Sequence, residues 1–382
     1  MAEKTIVHIS ADFPDPLAPT KTSSVSKLIS ETPGFRHVVY SLNRVSWSSG
    51  VVSIDFGPDR KALAYGAPPR GLWLATCLDR VAEWILEDLR RCQIPVDALH
   101  LHKFSVEGLI GLKIARALDR PFIVNIWGDT DLKVVSVRRD LSKQWRAILK
   151  EAAVIVPCAP WAEDRFDSLF GIDRAKAIVI PPIVQNEEFS PSPVVAEPRF
   201  VSLFNLDSYK RKNFETLVRA MAKLSKHVPG LRLDLYGRGS PVTLLAVDKI
   251  IKTAKAEDVV RLKGPLPGAG FSSTLGQYAA FLRPTRRETF GMVFIEALFA
   301  GLPLLHTRGW GIDGFFKPDE IGYACDPMQP ADVERGIERL LEHQARLKRQ
   351  IAALHEAGGF ERFKRRSIVE AYRSALQKVA PT

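Results

Sequence analysis

The sequence predicts an α/β protein of two doubly wound, Rossmann-like domains, and three observations carry that prediction. The chain has 382 residues, more than one hydrophobic core usually supports, so two domains are expected. Short β-branched runs alternate with longer amphipathic ones, the pattern of βα units around a parallel sheet. A proline-rich, pattern-poor stretch, SPSPVVAEP over Ser190 to Pro198, interrupts the alternation near the middle and reads as a linker. The expected division is 1–190, 191–359 and a C-terminal helix over 360–382 that crosses back toward the first domain. Open α/β sheets bind ligands beyond the carboxyl ends of their strands, so a cleft between the two domains is the expected site.

In the first half the strands are expected at TIVHIS, HVVYSL, DALHLH, PFIVNIW, AVIVPC and AIVIPP. In the second half, Arg199–Phe204, Leu231–Tyr236, Val259–Lys263 and Tyr278–Arg283 read as strands, and Asn213–His227 as an amphipathic helix. The run Met292–Ala300 reads as a short helix, stopped by Gly301 with Pro303 beyond it. FERFKRRSIVEAYRSALQKV, Phe360–Val379, is a basic helix whose apolar residues need a surface.

The composition is that of a soluble protein, 46% hydrophobic and 25% charged, and no stretch approaches the roughly 18 uncharged apolar residues of a membrane span. The N-terminus, MAEKTIVHISADFPDP, lacks the features of a signal peptide, so a cytoplasmic protein is expected. Four scattered cysteines, Cys77, Cys92, Cys158 and Cys325, suggest neither a zinc site nor a disulfide framework. The formal charge of +11 is uneven. Residues 1–190 hold 24 basic against 23 acidic residues, whereas 191–382 hold 30 against 20. The second half therefore attracts an anion, or else carries solvated helix faces.

The motif with chemical content is ETFGMVFIEALFAGLP, Glu288 to Pro303. Its helix is apolar all round except for Glu296, so burial of that carboxylate is expected. The free amides of Phe290, Gly291 and Met292 would form an anion site at the helix start. A sugar nucleotide fits the motif: the ribose diol on Glu296, the diphosphate at the helix start and the sugar near Glu288. Set against this, Glu288 also reads as a surface pair of Arg286 or Arg287 and Lys212 as one of a solvated KRK run. His100 and His102 share a strand face but show no third metal ligand, so no metal is expected.

The Glu-x7-Glu spacing followed by ALFAGLPLL resembles the signature of retaining glycosyltransferases of family 4, which have the GT-B fold. DALHLH, PFIVNIWGDTDL, VIPPIVQNEEFSP, KNFETLVRAMAKL and LRLDLYGRGS resemble that family's other segments in the same order. The resemblance implies a GT-B protein in which Lys212 binds the donor diphosphate, Glu296 the ribose, and Glu288 lies near the donor sugar. Around them Asn205, Gly237 and the alternative phosphate cations Lys210 and Arg211 complete the donor side. His102, Trp127, Asp131 and Thr20 are acceptor-side candidates. The chain departs from the pattern where PLAPTKTSS replaces a glycine loop and Trp127 replaces a common histidine.

The resemblance thus implies a retaining hexosyltransferase, moving sugar from a nucleotide-diphosphate donor to a carbohydrate or lipid-linked acceptor without a metal. Synthesis of a surface polysaccharide or glycolipid is the expected setting, with peripheral contact at the inner face of a membrane. The alternative is a sugar-nucleotide-binding protein without transferase activity. Nucleic acid is not an expected partner, because no aromatic and basic recognition module is present.

Overall fold

The computed structural model describes residues 3–46, 50–68, 71–268 and 270–381. The chain forms two compact units, one of residues 1–183 with 366–382 and one of residues 184–365. The proline-rich stretch expected as a linker lies inside the second unit.

Unit 1 is built on β1 (Lys4–Ser10), β2 (Phe35–Val45), β3 (Val51–Gly57), β4 (Arg60–Gly66), β5 (Ala98–Leu101), β6 (Phe122–Ile126) and β7 (Val154–Pro157). Their order is β3-β4-β2-β1-β5-β6-β7, parallel except for the β3–β4 hairpin. The central strands are buried on both faces, as a sheet covered by helices requires. The strand order reverses between β1 and β5, which makes their carboxyl ends the switch point of this unit. The register there sets His8 opposite His100.

Two expectations fail here. AIVIPP does not form a full strand: it bridges Ala177 to Ile155 and donates the Ile178 and Ile180 amides to the Ile155 and Pro157 carbonyls, and Pro181 and Pro182 have no amide with which to extend the ladder. The β3–β4 hairpin was not expected, since its edge strand is largely exposed and shows no clean apolar alternation.

The final helix, Arg365–Val379, starts later than expected, after a short 3₁₀ turn at Glu361–Phe363. It lays Ile368, Tyr372, Ala375, Leu376 and Val379 against Ile6, Ala98, Ile123 and Val154 of the unit 1 sheet. Its apolar stripe is thus a core face, while its basic residues lie on the other side.

Unit 2 is built on β8 (Arg199–Leu203), β9 (Arg232–Tyr236), β10 (Val260–Gly264), β11 (Ala280–Leu282), β12 (Leu304–Thr307) and β13 (Gly322–Cys325). All are parallel, in the order β10-β9-β8-β11-β12-β13, so the switch point lies between β8 and β11. The helix Phe214–Leu224 buries Phe214, Leu217, Val218 and Met221 in the core of this unit. The short helix Met292–Phe299 buries six of its eight residues. Both units are doubly wound α/β domains, as the GT-B fold requires.

Candidate functional site

The unit 2 switch point places the end of β11 beside the loop that leads to the helix Phe214–Leu224. Arg283 follows β11 directly, and Lys212 stands just before that helix. Between them lies Glu288. Its Oε2 accepts from Lys212 Nζ at 2.5 Å and from the Arg283 guanidinium. All three side chains are under a tenth exposed.

Burial alone would raise the Glu288 carboxyl, but the charges of Arg283 and Lys212 outweigh it and hold it down at about 2. For Lys212, burial and the neighbouring Arg283 charge exceed the attraction of Glu288, and its ammonium falls to about 8. Burial likewise lowers Arg283. One carboxylate thus serves two buried cations, leaving a net positive charge. Arg283 Nε is buried and has no hydrogen-bond partner among the described residues, so the group retains capacity for an anion. Glu288 is not the surface residue the alternative reading required, because its carboxylate is buried between Lys212 and Arg283.

Gly291 caps the next helix at φ 76°, and a Cβ there would come within 3.0 Å of both Phe294 and Glu288. Among the described residues, the amides of Phe290, Gly291 and Met292 donate no hydrogen bond. Phe290 itself is buried and meets Phe315 edge-on.

Glu296 departs from expectation: it is half-buried rather than enclosed. A helix that is apolar around nearly its whole circumference still leaves Met292 and Glu296 at one open stripe. Glu296 Oε1 accepts from the Gln185 amide at 3.0 Å, and the Asn186 amide and side chain lie 3.4 Å away. It therefore fastens the opening segment of unit 2, and among the described residues Oε2 has no hydrogen-bond partner.

The other donor-side candidates separate. Arg211 is exposed, but its charge reaches both Glu288 and Lys212. Lys210 is exposed over the Tyr209 ring and lines a different groove, of about 420 Å³, with Arg219 and Lys249. Asn205 is exposed and its side chain accepts from the Asp207 amide. Gly237 packs so closely that a Cβ would lie 2.0 Å from the Phe204 carbonyl oxygen. Of these four, Arg211 alone bears on the Lys212 cluster.

In unit 1, Asp131 is committed to backbone, accepting from the Ser105 and Trp127 amides. The Trp127 indole donates to the His102 carbonyl at 2.6 Å. Thr20 is exposed in a loop that Asp15 holds through Lys21, Ser41 and the Leu17 and Ala18 amides. His102 is buried beside His8, His37 and His100. Sequence reasoning missed His8 because it is far from His100 in the chain. It missed Arg283 because that residue reads as the end of a strand.

Residues 185–355 match the family model described as Glycosyl transferases group 1. The chain is 30% identical over 178 residues to the UDP-N-acetylglucosamine–peptide N-acetylglucosaminyltransferase GtfA subunit of Streptococcus pneumoniae, covering 44% of this chain and 34% of that one. It is 26% identical over 302 residues to the D-inositol 3-phosphate glycosyltransferase of Paenarthrobacter aurescens, covering 73% of each. The chain thus spans about a third of the first relative's length and about three quarters of the second's. Among solved structures, sucrose-phosphate synthase from Thermosynechococcus elongatus matches with a TM-score of 0.71 at 19% identity, covering 98% of this chain and 99% of that one. HepE of Anabaena, solved in complex with UDP, matches at 0.69 and 14% identity, covering 98% and 99%. These likenesses show the fold to be that of GT-B glycosyltransferases.

Proposed function

We propose that the protein is a retaining glycosyltransferase of the hexosyl type, moving sugar from a nucleotide-diphosphate donor to an acceptor hydroxyl. The observation that carries this reading is the buried Lys212–Glu288–Arg283 cluster beside the free amides at Phe290 to Met292. A sugar leaving its diphosphate develops negative charge on the phosphate oxygens. Fixed cations in a site shielded from water stabilise that charge without having to reorganise. Lys212 is the diphosphate cation, and Arg283, with its unsatisfied Nε, takes the place of the second cation that the sequence lacks before Lys212. Glu288 holds both cations in place and lies near the donor sugar. The helix amides receive the other phosphate, and Glu296 receives the ribose diol through Oε2.

With two protein cations available, the leaving group needs no divalent ion. The Glu-x7-Glu spacing supports the retaining outcome, in which the donor phosphate itself helps to deprotonate the acceptor on the same face. UDP is the first donor nucleotide to test, because the HepE neighbour was solved with it. A carbohydrate or lipid-linked acceptor, in cytoplasmic synthesis of a surface polysaccharide or glycolipid, fits the same reading, with peripheral contact to the membrane in the lipid-linked case.

The test has two steps. Thermal shift with UDP, GDP and ADP is expected to show stabilisation by at least one, since a ligand that binds only the folded state raises the melting temperature. The sugar nucleotide so identified is then supplied and the anomeric configuration of the product read by NMR. No stabilisation by any nucleotide diphosphate, or an inverted anomer, overturns the proposal. Binding without hydrolysis or transfer would support a sugar-nucleotide-binding protein instead.

A further inference from the structure

Four imidazoles lie at or beside the switch point of unit 1, and the donor machinery uses none of them. His37 Nε2 lies 3.0 Å from the Thr32 carbonyl oxygen, His8 Nε2 lies 2.8 Å from His37 Nδ1, and His8 Nδ1 lies 3.0 Å from His102 Nε2.

These contacts fix the protons. A carbonyl oxygen only accepts, so His37 Nε2 carries hydrogen, and in a neutral ring the other nitrogen is an acceptor. His8 Nε2 must then donate to His37, which makes His8 Nδ1 an acceptor. His102 Nε2 donates to it in turn. Burial, reinforced by the neighbouring imidazoles, holds the His8 and His102 rings well below their ordinary value, so the neutral form is the relevant one. The chain of donation ends at His102 Nδ1 as a bare lone pair. That atom is buried and has no hydrogen-bond partner among the described residues.

The fourth ring is committed elsewhere. His100 Nε2 faces Asn125 Oδ1 and its Nδ1 faces the Tyr372 hydroxyl, each at 2.8 Å. The nitrogens of His8, His100 and His102 lie within 4.8 Å of one another, close enough for a metal ion. Yet only one lone pair among the three rings is uncommitted, where a protein-held metal ion takes three or more. What the site lacks is a proton donor. A cavity of about 30 Å³ adjoins it, lined by Val25, His102, Asn125, Trp127, Pro182 and Tyr372. That volume holds one water or one hydroxyl group.

We propose that His102 Nδ1 accepts a hydrogen bond from one hydroxyl of a sugar or polyol acceptor, and that this cavity is the subsite for that hydroxyl. The inference rests on the transferase reading and names the chemistry its acceptor must offer. Because burial opposes a charge on the ring, His102 positions the hydroxyl without taking its proton. The site selects for a free O–H, since an ether oxygen there would leave two acceptors facing each other.

The experiment uses the wild-type protein with ¹⁵N-labelled histidine, so no variant has to fold. Imidazole nitrogen shifts and one-bond N–H couplings are expected to show His37, His8 and His102 all protonated on Nε2. Glycerol as probe is expected to move the His102 Nδ1 resonance, whereas 1,2,3-trimethoxypropane, which has no O–H, leaves it in place. A proton on His102 Nδ1 overturns the inference, and so does a resonance that glycerol leaves unmoved, which would mark the cavity as a water site. Joint movement of the His8, His100 and His102 resonances with zinc overturns it in favour of a metal site. UDP binding, measured on the same sample, distinguishes this failure from failure of the transferase reading.

Discussion

Raising the pH above 8 should weaken donor binding through Lys212. In the empty protein that ammonium titrates at about 8, against an ordinary value of 10.5. An arriving diphosphate favours the charged form and raises it again. Binding therefore needs a protonated Lys212 that the free protein progressively loses. Nine-tenths of the protein is protonated there at pH 7 and about one-tenth at pH 9. By linkage, affinity for UDP falls about tenfold over that interval while roughly one proton is taken up on binding at pH 9.

Calorimetric titration at pH 7 and 9, in buffers of different ionisation enthalpy, measures both quantities. Lys212→Arg, whose guanidinium stays charged, should bind with the pH dependence removed. Equal affinity at the two pH values with no proton uptake refutes the assignment of Lys212 to the diphosphate.

The same values show why this cluster adds little to the stability of the empty protein. Holding Glu288 at about 2 instead of 4.5 favours the folded state by about 3 kcal/mol above pH 4.5, an advantage lost as pH falls toward 2. Holding Lys212 at about 8 instead of 10.5 costs about the same below pH 8, relieved as pH rises toward 10.5. The two nearly cancel at neutral pH, as buried ion pairs commonly do.

Three further outcomes are expected. Glu296→Gln should lower donor affinity about tenfold, from one charge-assisted bond, and also destabilise the empty protein by about 1 kcal/mol, since Oε1 fastens Gln185 and Asn186; urea melts and UDP titration check both, and unchanged donor affinity would reduce Glu296 to a structural clasp. Burial holds His8 and His102 well below 6.5 and His100 at about 4, so the stability they permit is full above pH 6.5 and is lost as pH falls below it. That loss is about 4 kcal/mol per pH unit for three rings, and urea melts at pH 7, 6 and 5 that superimpose would contradict it. Deleting 366–382 strips the sheet of Ile368, Tyr372, Leu376 and Val379, at about 1.5 to 3 kcal/mol for each large side chain; the shortened chain should not give a folded unit 1, and an unchanged melting temperature would show the helix to be dispensable.

The sequence was most readable where one residue type had one local job. Gly291 and Gly301 bracketed a helix that forms within a residue of its expected bounds, and most apolar runs became strands because a parallel sheet needs both faces covered. It was misleading where a local pattern stood in for a three-dimensional neighbourhood. Glu296 looked enclosed because its own helix is apolar, but burial depends on what covers each stripe, and the stripe of Met292 and Glu296 stays partly open.

The partners of Glu288 lay on both sides of that limit. Lys212 was singled out by the family resemblance, whereas Arg283, only five residues from Glu288, passed as a strand end because nothing local says that the chain turns back there. His8 is the stronger case. Its place depends on the β1–β5 register that sets it against His100 across more than ninety residues, and strand order is a global property that no window of sequence carries. That also explains why the lone pair on His102 was invisible in the sequence: its direction is decided three rings away, by the Thr32 carbonyl. The chemistry of a residue can therefore be legible in the sequence while its protonation is not, because the first depends on the side chain and the second on every neighbour the fold supplies.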